Sequence, residues 1–321
     1  MGKAAAGGAP ALVRSAVAIL TTVLLAACGG GQKGNGVAPN GKRGSAFPIT
    51  LKDDEGVSVT LRRAPQRIVT FGQSDTEIVF ALGLGNRLVG VCCAFDNYPP
   101  AAARLPHVEG AAQKPNTEKV ISLHPDVLLN AFPGASTWSK PLQDAGVPVF
   151  TTTANNFDDA VHDIVTVGRV LGAKTAADAL ASRMRAAEHS VQTRVASDRA
   201  AAGPVSCFLD IGGLYTVAPG DFLYDLLRQA GCVPVTSDAK TSFPQWSKEQ
   251  LVQDDPDVYL FTSDSGTTLA SLEKDPALGK LSAVKNHRVY SVNGDLVSRP
   301  GPRLVQGLEA IAKALHPNAF S

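Results

Sequence analysis

Two stretches of this chain follow one plan. Glu118-Lys119-Val120-Ile121-Ser122-Leu123-His124-Pro125-Asp126-Val127-Leu128 is echoed by Glu249-Gln250-Leu251-Val252-Gln253-Asp254-Asp255-Pro256-Asp257-Val258-Tyr259. In each, a glutamate opens a short helical pattern, Pro-Asp follows, and a β-branched residue begins a strand. The same eight-residue offset separates each Glu from its Asp. Proline stops the helix and aspartate supports the turn. A helix–turn–strand unit used twice directs the chain toward two similar α/β lobes.

The rest of the pattern agrees. Residues 47–51 and 57–61 alternate apolar and polar around Asp53-Asp54-Glu55-Gly56, which predicts a hairpin. Residues 67–71 read as a buried strand, Ser74-Asp75-Thr76-Glu77 as a capping box opening a helix to Leu82, and 88–91 as a returning strand. A helix at 116–123, a strand at 127–130, a helix at 138–144 and a strand at 147–150 complete the first lobe. Helical periodicity then runs from Phe157 to Ala196 with a break at Gly172. Its second part, 175–196, predicts a rod of roughly 33 Å. The second lobe reads as strands at 205–209, 233–235, 258–261 and 289–291, with helices at 222–229, 248–253, near 278–283, and 305–315. The expected organisation is an α/β lobe at 47–155, a helical connector at 156–202 and a second α/β lobe at 203–321.

The start of the chain has a different character. Residues 15–27 form an apolar run too short to span a bilayer as a mature helix but of signal-peptide length. The run ends in Leu25-Ala26-Ala27-Cys28, which resembles a bacterial lipobox. That resemblance implies cleavage of a signal at 1–27 and a diacylglycerol on Cys28. Residues 28–46 are Gly-rich and polar, the composition of a flexible tether. The expected location is the extracytoplasmic face of a cell membrane, on a periplasmic or a cell-wall side. Loss of Lys3 and Arg14 would change the net charge from +1 to −1.

With 30 Lys+Arg against 29 Asp+Glu there is no basic field, which argues against nucleic-acid binding. Enzyme signatures are also missing. Gly83-Leu84-Gly85 begins a GxGxxG run, but Leu88 replaces the third glycine and the run follows a helix. The chain contains no P-loop, GxSxG or HExxH, and its six histidines are scattered. The expectation is no catalytic residue, no resident cofactor and no metal site. A chelatase-like enzyme and an adhesion lipoprotein are the alternatives from other classes. Lipidation of Cys28 leaves Cys92, Cys93, Cys207 and Cys232, which allow three pairings. Cys207 and Cys232 lie 25 residues apart in the second lobe, and export is compatible with a bridge. Adjacent Cys92 and Cys93 read as strand-end packing or a strained vicinal disulfide, ahead of the alternative that one of them meets a metal centre at the cleft.

The stretch Arg67-Ile68-Val69 through Thr76-Glu77-Ile78-Val79-Phe80-Ala81-Leu82-Gly83 resembles the opening of the cobalamin/iron-siderophore periplasmic-binding family, the class III substrate-binding proteins of ABC importers. Asn97-Tyr98-Pro99-Pro100, the two Glu…Pro-Asp units, Ser282-Ala283-Val284-Lys285, Arg288-Val289-Tyr290, Arg299-Pro300-Gly301-Pro302-Arg303 and Leu315-His316-Pro317 extend it over residues 47–317. The resemblance implies two Rossmann-like lobes joined by one long helix and a ligand cleft with little hinge motion. It also implies a monomer that works with a permease and its ATPase.

Among vitamin B12-binding members, a surface glutamate on each lobe meets permease arginines; Glu118 and Glu249 match those positions. Ligands of such lobes bind beyond the carboxyl ends of the strands. The candidate ligand contacts there are Phe95, Tyr98, Tyr215, Phe243, Trp246, Asp295 and Arg299. Flat rings suit a corrinoid face. The pattern's tryptophans fall near Ala112 and Ala131 here, so the transported ligand stays open among cobalamin, cobinamide, haem and an iron siderophore. Haem would want an axial Tyr98 or Tyr215.

Overall fold

The computed structural model describes residues 47–110 and 114–321. Cys28, the signal at 1–27, the tether at 28–46 and Ala112 lie outside the described residues. Among the described residues, ten strands form three sheets. β1 (Ile49–Lys52) and β2 (Ser58–Leu61) make the antiparallel hairpin. β3 (Ile68–Phe71), β4 (Leu88–Gly90), β5 (Val127–Asn130) and β6 (Val149–Thr151) form a parallel sheet in the order β4-β3-β5-β6. β7 (Val205–Asp210), β8 (Cys232–Pro234), β9 (Val258–Thr262) and β10 (Val289–Val292) form a second parallel sheet, spatially β8-β7-β9-β10. In both sheets the first strand of the lobe sits between the second and the third. The duplicated sequence unit is therefore a duplicated topology.

The echo reaches single residues. His124 and Asp255, each just before the Pro-Asp pair, both adopt positive φ (47° and 37°). Asp126 accepts hydrogen bonds from the backbone N–H of Gln66 and Arg67 at 2.8 and 3.0 Å, immediately before β3. Asp257 accepts from Ser206 N–H at 2.8 Å, at the start of β7. The aspartate does more than support a turn: it fastens the amino end of the third strand to that of the first. Asn116 and Ser247 cap the two short helices, accepting from Lys119 and Gln250 N–H at 3.0 Å each.

Alternation along the strands builds three apolar layers. Val127 and Leu129 face one core while Leu128 faces another, and Val258, Leu260 and Tyr259 repeat the arrangement. One core runs through both lobes, from Ile68 and Ile78 past Phe157 and Ile164 to Leu209 and Leu308. Each sheet also has its own outer core, around Phe71 and Leu142 in the first lobe and around Phe208 and Leu281 in the second.

Helices Phe157–Val170 and Lys174–Ala202 pack as a pair beneath the shared core. Gly168 permits their contact, since a Cβ there would sit 2.2 Å from that of Ala177. The second helix has 29 residues, roughly 44 Å at 1.5 Å each. It outruns the expected 175–196 because Ser197 to Ala202 contain no breaker, and it stops only at Gly203 (φ 90°) and Pro204. A helix Leu269–Lys274 was not anticipated; its strength lies in a Thr268/Ser271 capping box. The helix expected near 278–283 divides into a 3-10 turn, Leu278–Lys280, and a single turn, Ser282–Lys285. No helix among the described residues is long and apolar enough to cross a membrane.

Candidate functional site

The carboxyl ends of both parallel sheets bound a cleft. Its central cavity, about 320 Å³, is lined from the second lobe by Ile211, Val217, Phe222 and Phe243, with Ala154 at the crossing from the first. Asp221, Thr262, Asp264 and Ser298 supply its polar groups, and no Lys, Arg or His lines it. An adjoining cavity of about 230 Å³ shares Ala154 and Pro300 and is lined by Ser74, Ile78, Thr152 and Asp163 of the first lobe and its first connecting helix.

Of the seven candidate ligand contacts, Phe243 lines the central cavity. Phe95, Tyr98 and Tyr215 are exposed at 70%, 43% and 48%, as is Phe243 at 57%. Phe95 and Tyr98 follow β4, and Tyr215 follows β7. Tyr215 pairs with Gln245 in an isolated bridge that places it beside the Phe243 segment. Trp246 lies elsewhere: it lines a separate depression with Val235 and Gln250, and its Nε1–H donates to Asp254 at 2.7 Å. Ala131 lies directly against Gly72.

Arg299 is buried and fully engaged. It donates to Glu77 at 3.2 Å, Asn97 Oδ1 at 3.3 Å, the Phe95 carbonyl at 3.1 Å and Asp295 at 2.5 Å. Its neighbours Ser298 and Pro300 both line the central cavity, and its bond to the Phe95 carbonyl fixes the backbone that carries Phe95. Arg303 donates to Glu77 through two nitrogens at 2.8 and 2.6 Å and covers the Tyr98 ring, 3.7 Å from its centroid. The Glu77 carboxylate thus holds two arginines of the second lobe against the first. This corrects the capping-box reading of Ser74 and Glu77. The helix Gln73–Ala81 has Gly72 at its N-cap without a side-chain cap bond, and Ser74 and Glu77 are buried. The Ser-x-x-Glu spacing hid a tertiary partner more than 200 residues away. Arg299 and Arg303, spaced four apart, were the available sign that a buried carboxylate was needed.

Two more acids went unread. Asp75 is wholly buried; burial, with Asp96 and Asp54 nearby, raises its pKa to about 7 despite a bond from Thr152. Asp163 is raised to about 8 by burial and by Asp54, Asp75 and Asp159.

Glu118 and Glu249 both stand exposed in the first turns of their helices, Thr117–Ser122 and Lys248–Asp254, where the helix dipole favours a carboxylate. Cys207 and Cys232 form a disulfide joining β7 to β8. Cys92 and Cys93 are buried free thiols.

Comparison with known proteins gives one family, whose solved members are named for vitamin B12, heme and iron ligands. The family model described as periplasmic binding protein matches residues 68–296. An uncharacterized ABC transporter substrate-binding lipoprotein, YvrC of Bacillus subtilis (strain 168), is 32% identical over 317 residues, covering 95% of this chain and 97% of its own. A cobalamin-binding protein of Halobacterium salinarum is 30% identical over 282 residues, covering 85% of this chain and 76% of its own. Among solved structures, the periplasmic vitamin B12 binding protein BtuF of Vibrio cholerae superposes with a TM-score of 0.68 at 25% identity, over 80% of this chain and 99% of its own.

Proposed function

The chain belongs to the periplasmic binding protein family, and from that premise we propose that it captures a corrinoid, cobalamin or cobinamide, for an ABC importer. The coarser role is that of an ABC-type substrate-binding protein. The observation that carries the corrinoid reading is the charge of the central cavity. Asp221 and Asp264 face it, and no basic side chain among the described residues lines it. A corrin ring is rimmed by neutral amides, whose N–H groups donate to carboxylates. Haem propionates and ferric catecholate or carboxylate siderophores carry anionic charge that calls for basic partners. The names of the two cobalamin and B12 binders above point the same way.

In this reading the macrocycle rests on Phe222 and Phe243, while Phe95, Tyr98 and Tyr215 flank it. Asp295, partly exposed, is paired with Arg299 and offers its carboxylate to a polar group of the ligand beside that pair, whereas Arg299 positions the Phe95 loop. Isothermal calorimetry of the purified protein with cyanocobalamin, haem and a ferric hydroxamate tests the reading. Saturable binding of cyanocobalamin at one per chain, weakened at least several-fold by Phe243→Ala, is expected. Binding of haem or the siderophore in its place would refute it.

Delivery to the membrane follows from the same reading. Glu118 and Glu249 present one carboxylate per lobe to permease arginines, and a lipid on Cys28 keeps the protein at the extracytoplasmic membrane face. The double variant Glu118→Arg/Glu249→Arg is expected to lose uptake while keeping ligand affinity. Normal uptake by that variant would remove the docking assignment.

A further inference from the structure

Two residues beyond β4, Cys92, Cys93 and Asp96 converge. One donor atom from each, the two sulfurs and a carboxylate oxygen, lies within 4.8 Å of the others, and all three residues are buried. The thiols are unbridged. Asp96 is 1% exposed and firmly held: its Oδ2 accepts from Cys92 N–H at 2.8 Å. Its Oδ1 is buried and finds no hydrogen-bond partner among the described residues. A buried carboxylate oxygen with no partner carries a desolvation cost that a native fold normally offsets. The nearby groups are the two thiols and the Thr76 hydroxyl.

We propose that Cys92, Cys93 and Asp96 form a binding site for one thiophilic divalent cation of the zinc class. Sulfur ligands about 2.3 Å from such an ion, at a tetrahedral angle, stand roughly 3.8 Å apart, which small side-chain rotations reach from a spacing within 4.8 Å. Two sulfurs select against magnesium and calcium, which take oxygen ligands. Binding displaces one proton from each thiol and forms two metal–thiolate bonds and one metal–carboxylate bond. The resulting net charge of −1 stands near Arg299, whose charge opposes the burial that raises the Asp96 pKa. Gln73, which donates to Cys93 Sγ at 3.5 Å, is the adjoining polar side chain. The site lies in the first lobe at the base of the loop that carries Phe95, and it stands independently of the transported ligand.

The test is a Cd2+ titration of the reduced full chain, read by thiolate-to-metal charge-transfer absorption and by mass-spectrometric mapping of alkylated cysteines. A one-to-one end point is expected, with Cys92 and Cys93 protected together and Zn2+ competing for the same equivalent. Asp96→Asn should weaken Cd2+ binding by about 10–100-fold, and Cys28→Ser should leave it unchanged. The mapping on the unsubstituted protein decides the matter even where a variant folds poorly. Absence of a one-equivalent end point, protection at Cys28, Cys207 or Cys232 instead, or retained binding in Cys92→Ser/Cys93→Ser would overturn the proposal.

Discussion

The two lobes share a strand order, a left-handed residue before Pro-Asp and an aspartate fastening two strand starts, yet their chemistry diverges at the carboxyl ends of the sheets. Both lobes expose rings there, Phe95 and Tyr98 in the first and Tyr215 and Phe243 in the second, but the first carries a pair of free thiols beside the raised carboxyls of Asp75 and Asp96. The second carries most of the central cavity wall and a disulfide that staples its edge strand. The scaffold is fixed by residues at the amino ends of the strands, and the carboxyl ends are left to vary. A duplicated fold can in this way present two unlike walls to one ligand.

The largest break in this relation should come from the contact between lobes. Glu77→Gln leaves two arginines facing each other without their carboxylate. Removing one partner of a buried pair costs about 3–5 kcal/mol, so equilibrium urea unfolding should show that loss. A change under about 1 kcal/mol would show that the latch is not what unites the lobes. Next in size is the staple. The disulfide closes a 25-residue separation, and Cys207→Ser/Cys232→Ser should cost about 2–4 kcal/mol. Hydrogen exchange should then rise in β7 and β8 and stay unchanged in β3 and β4. Equal loosening of both sheets would mean that the lobes do not differ in this respect.

A third difference is a pH slope carried by the first lobe and its adjoining helix. The folded-state pKa of Asp75 is about 7 and that of Asp163 about 8, both above the ordinary carboxyl value of 3.8. The folded state therefore binds their protons more tightly than the unfolded state does. Their contribution is fully present below about pH 4 and is lost as pH rises through 7 to 8. Thermal unfolding of the parent should weaken from pH 5 to pH 8 more steeply than that of Asp75→Asn. Parallel profiles would contradict the assignment.

Much of this was legible in the chain. Proline, aspartate and period-two alternation are local signals, and they located the strands of both sheets to within a residue or two. The pairing of the Glu…Pro-Asp units disclosed the duplication because it repeats in sequence what repeats in space. What stayed hidden depends on long-range partners. Glu77 satisfied a local capping rule while its ligands waited at 299 and 303. Trp246 looked like a cleft ring until Asp254 claimed its N–H. Asp96 carried no sign in its spacing that it would meet the two cysteines. The short helix Leu269–Lys274 escaped because its cap, Thr268 and Ser271, is hydroxyl to hydroxyl and lacks the usual acid.

The central claim is that both lobes close one ligand between unlike walls. Hydrogen–deuterium exchange of the protein with and without cyanocobalamin tests it most directly. Protection should appear together in the first-lobe segments 92–98 and 131–155 and the second-lobe segments 211–223, 242–246 and 294–300. Protection in one lobe only, or none at a saturating concentration, would contradict it.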